Sequence, residues 1–522
     1  MASDRLVTAS RCAALAFGLG LLLAGCAPRF STRQFDPLAA RNAGTAEWVY
    51  DIDEDGAADF WEVDRDGDGT VDLYRFDTDE DGASDYVTSR EGMRAENDRT
   101  FIFFIDGVPD TQVKAMWDEG YFREFFRPSA MVSPFPSMTY LSFSEMLGTP
   151  VPPGYEELYF DRARNELKGG LGARLGFDEE YNVKKNESFL TVFGYKQPSI
   201  YSGLVYFTTH TTARRDLEHA IEHFDANGAP LAIAYMGTTD GVAHKLGAAG
   251  IRDILVEIDR LLREFIFAHR GHLRIVFGSD HGNNYTPARR IDLERHLGAR
   301  GFRLADRITD STTVVIPAYG LVGFAACYLD STRAAAFAES ALAIPGVDLA
   351  VYAAEGAAHV LGSGGRGRAR IFHDATANRY RYAIDEGDPL ALGPIVAALE
   401  REGRVDGEGY AADVDWFAAT GTHRYPDAVR RVFAGATNHV ENTATVLLSL
   451  DDPCFYGSKF FDFVVDLAGT HGNLAAPSTT GFLMCNYEEP PPIVRAPDVG
   501  RCLGLPSPQA ARGAAGGAAT AP

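Results

Sequence analysis

The chain has 522 residues, a hydrophobic fraction of 46% and a formal net charge of −23. That much apolar material is enough to bury a large core, and the length allows roughly two to four domains. The acidic balance excludes a nucleic-acid scaffold, because phosphate backbones are gripped by Lys and Arg, and it favours solubility and cation binding.

The N-terminus reads as a targeting segment. Arg5 and Arg11 flank the start of the apolar run "CAALAFGLGLLLAG", which leads to Cys26. The run is too short to span a bilayer and is not part of the fold. Leu23-Ala24-Gly25-Cys26 resembles the lipobox of bacterial lipoproteins. The resemblance implies a lipoprotein signal over residues 1–26, cleaved just before Cys26, with Cys26 acylated as the mature N-terminus and a stable anchor from two or three chains. The expected location is the bacterial cell envelope after export. Ala27 stands where an Asp would retain a lipoprotein at the inner membrane, so outer membrane or cell surface is expected. Residues 27–48 read as a polar tether. Cys327, Cys454, Cys485 and Cys502 remain, either as one or two disulfides in an oxidising compartment or as small buried hydrophobes.

Between residues 49 and 90 an acidic unit occurs three times: "DIDEDGAAD", "DRDGDGTVD" and "DTDEDGASD". The units start at Asp51, Asp64 and Asp77, a period of thirteen residues. Each places Asp at positions one, three, five and nine and Gly at six. The carboxylates are thus Asp51, Asp53, Asp55 and Asp59, then Asp64, Asp66, Asp68 and Asp72, then Asp77, Asp79, Asp81 and Asp85. Alternate oxygens around a tight glycine turn suit one hard cation, so Ca²⁺ is the expected ligand. The flanks "FWEV" and "LYRF" are too short for the helices of an EF-hand. The units resemble thrombospondin type 3 repeats, and calcium there would stiffen a stalk between the anchor and the rest of the chain.

From residue 98 the chain alternates apolar runs with helical segments. "TFIFFIDG", "LAIAYMG" and "LRIVFGS" read as buried strands. Between the last two, Ile251, Ile254, Leu255, Ile258, Leu261, Leu262 and Phe265 recur at helical spacing. Strand–helix–strand with continuous apolar strands predicts an α/β fold with a doubly wound, mostly parallel sheet. Residues 489–522, rich in Pro, Ala and Gly, are expected to be disordered.

Polar residues follow the strands: Asp106 after "FIFFI", Asp240 and His244 after "AIAYMGTT", Asp280 and His281 after "IVFGS". His471 stands in "LAGTHGN". Ligands of open α/β sheets gather outside the carboxyl ends of strands, and mixed Asp and His donors suit zinc. Each element alone also fits a surface turn. In this order they resemble the alkaline phosphatase superfamily, in particular its nucleotide pyrophosphatase/phosphodiesterase branch, over roughly residues 98–488. The resemblance implies two zinc ions, one held by Asp106, Asp280, His281 and the nucleophile, the other by Asp240, His244 and His471. It places Thr139 of "PSMT" on the nucleophile, at a helix start. Tyr140, Leu141 and Ser142 depart from the Phe-Pro-Asn that usually follows. Glu157 falls near the position where related enzymes place an Asn against phosphate, and substrate contact by Glu157 stays open.

The expected activity is hydrolysis of phosphodiester or nucleotide pyrophosphate bonds through a phosphothreonine, on a small-molecule substrate. The alternatives are a phosphomonoesterase, sulfatase or phosphonate hydrolase on the same fold, or an inactive calcium-dependent adhesion protein. No C/S-x-P-x-R sulfatase signature lies near Thr139. His219 and His223, four apart on an expected helix, read as a solvated face.

Overall fold

The computed structural model describes residues 46–94, 96–170, 188–197, 209–318, 320–458 and 466–502. The expected export segment, Cys26 and most of the expected tether lie outside the described residues. No described helix is long and apolar enough to cross a membrane. In chain order, the elements that bear on function begin with strands β1 (Ala46–Tyr50), β2 (Phe60–Asp64), β3 (Leu73–Phe76), β4 (Tyr86–Ser89) and β5 (Arg99–Ile105). Helices α1 (Thr139–Met146) and α2 (Thr209–Asn227) follow, then β6 (Leu231–Met236), α3 (Thr238–Ala268) and β7 (Leu273–Ser279). Helix α4 (Ala428–Thr437) and strand β8 (Thr480–Cys485) complete the set. The chain divides into two compact units, 1–129 with 193–279 and 482–492, and 130–192 with 280–481 and 493–522.

The first unit contains five strands of a mixed sheet, in the order β8, β7, β5, β6 and the short strand Tyr195–Lys196. β5 pairs in parallel with β6 and β7, while β8 runs antiparallel to β7. Every residue of β5 after Arg99 is buried, as a strand covered on both faces requires. Ile105 is in register with both Met236 and Ser279, so three strands end at one level. Helix α3 begins at Thr238, thirteen residues before Ile251, the first residue of the periodic apolar stretch. Gly247, at φ 61°, breaks it into two segments, and the first is too short to display its own periodicity.

The acidic repeats also belong to this unit. β1 to β4 form an antiparallel meander, and each repeat is the loop between successive strands. The meander does not stand apart as a stalk. Phe267 of α3 meets the rings of Phe60 and Phe76 with centroids 5.5 and 6.1 Å away. Beneath the aromatic layer, Tyr50 Oη donates to Glu62 Oε2 at 2.7 Å, and Arg263 Nε lies 3.4 Å from the same carboxylate. Arg263 also reaches Glu124 at 2.8 Å and Asp259 at 3.2 Å. All four charged groups are buried. A buried cluster of this kind survives only when every charge is paired.

The second unit carries a seven-stranded antiparallel sheet, from Phe324–Cys327 at one edge to Ala411–Ala412 at the other. Sequence reading did not anticipate it. α4 packs on its Val347–Ala354 and Ala357–Gly362 strands. The first part of the expected disordered tail is ordered: Ile493–Arg495 pairs in parallel with Ala130–Val132, and a short helix covers Val499–Cys502. Arg495 anchors this stretch through ion pairs with Asp413 and Asp427. Residues 503–522 lie outside the described residues. Cys327, Cys454 and Cys485 are buried free thiols, and the side chain of Cys502 lies outside the description.

Burial pushes Glu124 up to about 7, against the opposing charge of Arg263. A folded-state value above the unfolded one stabilises below the unfolded value, and the contribution is lost as pH rises through about 7. Glu124→Gln removes this titration. Its unfolding free energy, followed by denaturant from pH 4 to 8, is therefore expected to fall less steeply between about 4.5 and 7 than that of the wild type. Identical slopes would contradict the assignment.

Candidate active site

In the first unit, β5 ends at Ile105 and delivers Asp106, which is buried. Thr239 Oγ1 lies 2.8 Å from both the backbone N and the carbonyl O of Asp106. Tyr235 Oη donates to Asp106 Oδ2. Asp240 and His244 occupy the first turns of α3, four residues apart, with His244 Nε2 3.1 Å from Asp240 Oδ1. The start of α3 is tied to α2 by Asp216, which accepts from Thr238 Oγ1 at 2.8 Å and from Tyr195 Oη at 2.6 Å. Burial pushes Asp216 up to about 7, with both hydroxyls pulling the other way. Asp106, Asp240 and His244 are thus three donors on one rim, linked through Thr239.

In the second unit, Asp280 and His281 are fully buried. Thr139 is the first residue of α1, after Met138 in extended conformation. Thr139 Oγ1 lies 3.3 Å from His281 Nε2, and Asp280 Oδ2 lies 3.4 Å from the same nitrogen. His471 stacks on His281, with ring centroids 4.0 Å apart and planes at 15°. His281 Nδ1 donates to the carbonyl of Gly282 at 3.0 Å, and His471 Nδ1 donates to that of Ser137 at 3.0 Å. These bonds place each proton on Nδ1 and leave Nε2 as the ligating nitrogen. Gly282 has no room for a side chain: an added Cβ would stand 2.2 Å from the carbonyl of Pro477.

Each unit therefore gathers the sequence-predicted residues it owns. The donors fit zinc: the Nε2 atoms of His281 and His471 with fixed tautomers, the imidazole of His244, buried Asp106 and Asp280, half-buried Asp240 and one hydroxyl. Sequence reading missed Tyr235, Thr239, Ser137 and Gly282. Tyr235 hides in an apolar strand and Thr239 in a helix start. Ser137 acts through its carbonyl, and only the glycine after His281 carried a readable signal. Glu157 is buried just before the Leu158–Asp161 strand, with its carbonyl accepting from Gly170. Its neighbour Glu156 borders a small cavity lined by Tyr155, Tyr159 and Phe324. Burial pushes Glu156 up to about 7. His219 is exposed and His223 half-buried on α2, and neither belongs to a metal-ligating group found among the described residues.

The repeat loops bring donor oxygens within 4.8 Å of one another in three groups: Asp51, Asp53, Asp59; Asp64, Asp66, Asp72; and Asp77, Asp79, Asp81. Asp55 and Asp68 accept from the amides of Ala57 and Thr70, and Asp85 accepts from Thr78. Each group could hold a hard cation.

No protein-family model and no characterised protein sequence matches the chain. The fold is similar to that of murine ectonucleotide pyrophosphatase/phosphodiesterase 5. The identity is 11%, covering 78% of this chain and 96% of that one, with a TM-score of 0.42. The human protein of the same name gives 12%, 78%, 96% and 0.42. Phosphonoacetate hydrolase from Sinorhizobium meliloti 1021, solved with phosphonoformate, gives 14%, 80%, 96% and 0.40. At this level of likeness, function rests on the residues themselves.

Tyr235 holds one oxygen of Asp106 from behind, as outer-shell donors hold metal ligands. If Asp106 ligates zinc, Tyr235→Phe is expected to weaken zinc binding about tenfold in a competition titration with a chromophoric chelator. Unchanged affinity would remove Tyr235 from that supporting role.

Proposed function

We propose that this chain is a metal-dependent hydrolase of phosphate esters on the plan of the alkaline phosphatase superfamily, acting on phosphodiesters or nucleotide pyrophosphate bonds. The observation that carries this is the Thr139 hydroxyl, at the first residue of α1, 3.3 Å from a buried imidazole that is itself stacked on another. In this proposal Asp106, Asp280, His281 and Thr139 hold one zinc, and Asp240, His244 and His471 hold the second. The strand register supports the first set. Ile105 and Ser279 are partners on adjacent parallel strands, and Asp106 and Asp280 are the next residue on each.

Zinc, when bound, would lower the hydroxyl pKa and neutralise charge on the phosphoryl group. Thr139 gives up its proton, its oxygen bonds to phosphorus, the P–O bond to the leaving group breaks, and the proton ends on the departing oxygen or in solvent. Water then cleaves the phosphothreonine and restores the hydroxyl. Thr139 stands at a helix N-terminus, where the helix dipole favours a phosphate oxygen. Fixed Nδ1 protons keep both imidazoles in the ligating tautomer throughout.

We infer further that the three repeat loops bind calcium. Their donor groups recur on successive turns of one meander that packs on α3.

The test of the catalytic claim uses the full chain and an aryl phosphodiester. Thr139→Ala is expected to lower kcat about a thousandfold or more with an unchanged unfolding temperature. Undiminished turnover would remove Thr139 from its role. A chain that hydrolyses an aryl monoester or a phosphonate but no diester would favour the alternative activities. For the loops, a ligand bound only by the folded state raises Tm in proportion to the logarithm of its concentration. Tm is expected to climb across a calcium titration and drop with chelator, whereas a flat response would rule out calcium there.

A further inference from the structure

The nucleophile loop and the segment after His471 are separated by more than three hundred residues, yet one side chain binds both. We propose that Arg431 is a positioning residue that holds Thr139 and His471 in a single rigid piece. This rests on the phosphohydrolase reading of Thr139.

Arg431 lies on α4 and is 1% exposed. Its Nη2 donates to the carbonyl of Pro134 at 3.1 Å, to Ser137 Oγ at 3.2 Å and to Thr479 Oγ1 at 2.8 Å. Its Nη1 donates to the carbonyls of Pro426 at 3.0 Å and Leu474 at 3.3 Å. Pro134 and Ser137 belong to the loop that enters α1, and Leu474 and Thr479 follow His471. Ser137 completes the link, because its carbonyl accepts from His471 Nδ1 and its Oγ lies 3.3 Å from the carbonyl of Asn473. Displacing the Ser137 carbonyl would rotate the His471 ring, and displacing its chain would move Thr139 two residues on.

The neighbouring contacts point the same way. His439, just beyond α4, donates from Nδ1 to the carbonyl of Phe135 at 3.1 Å, and its Nε2 lies 3.2 Å from Glu145 on α1. Arg430 reaches the same carboxylate at 3.3 Å. Burial alone would raise Glu145, but the hydrogen bond and charge of His439, with Arg430, outweigh it and hold it at about 2. The two ends of α1 are thus held from α4 by charged pairs and from Arg431 by carbonyls and hydroxyls. A planar guanidinium can serve several acceptors lying in one plane. A lysine ammonium, with three donors on a flexible stem, cannot.

Arg431→Lys keeps the charge and loses the fork, so it separates geometry from electrostatics. The experiment compares the full-length wild type and variant by three readouts: kcat and KM on an aryl phosphodiester, zinc affinity by chelator competition, and Tm. The expected result is a roughly hundredfold lower kcat with KM within about twofold. Zinc affinity should be weaker by about tenfold for one of the two ions, through the misplaced His471. A folded Arg431→Lys chain with wild-type kcat and zinc affinity would overturn the proposal. If that variant does not fold, Ser137→Ala decides: lower kcat and weaker zinc affinity support the proposal, and wild-type values for both sink it. A wild-type chain that hydrolyses no phosphate ester would instead overturn the catalytic role of Thr139. The zinc readout would still judge Arg431.

Discussion

Two hydrogen bonds from imidazole to backbone carbonyl govern the candidate site. His281 gives its Nδ1 proton to Gly282 and His471 gives its own to Ser137. With those protons fixed, each Nε2 carries a lone pair, and the rings can lie face to face 4.0 Å apart without competing for protons. The rest of the second unit serves those carbonyls. Gly282 must be glycine for the chain to pass Pro477, and Ser137 is held by Arg431 from α4. The first unit solves the matching problem with hydroxyls, since Thr239 and Tyr235 hold Asp106.

Much of this is visible in the sequence, for a physical reason. A strand buried on both faces reads as an unbroken apolar run, so the first polar residue after it marks the sheet's rim. That rule locates Asp106 and Asp280 directly. Thr139 came from motif resemblance, and the structure puts it at the first residue of a helix as expected. His471 had no strand before it, and its position depends on contacts with a loop far away in sequence. Tyr235 is indistinguishable from a core aromatic until its hydroxyl is seen against Asp106. The start of α3 was hidden because its first segment ends at Gly247 before one apolar face can repeat.

Composition misled in two places. The Pro-rich stretch after residue 489 looks disordered, yet Arg495 draws it in through two buried carboxylates. The acidic repeats look like a solvated stalk because their loops are polar. Their short aromatic flanks are the strands, and these lie on α3 over the buried Glu62–Arg263 pair. In the antiparallel sheet of the second unit, Phe324–Cys327 and Val347–Ala354 pair with Val446–Leu450, far away in sequence, whereas the strands from Val347 to Gly387 are consecutive hairpins. Local periodicity does not report partners.

The central claim is that Thr139 becomes covalently bonded to phosphorus during turnover. The most direct measurement is acid quench of the zinc-loaded chain during hydrolysis of an aryl phosphodiester, followed by proteolysis and mass spectrometry. The account predicts phosphate, or its remaining ester, on the peptide that carries Thr139, located on that hydroxyl. Phosphorylation of another residue, or steady turnover with no trapped phosphopeptide under conditions that slow its hydrolysis, would contradict it.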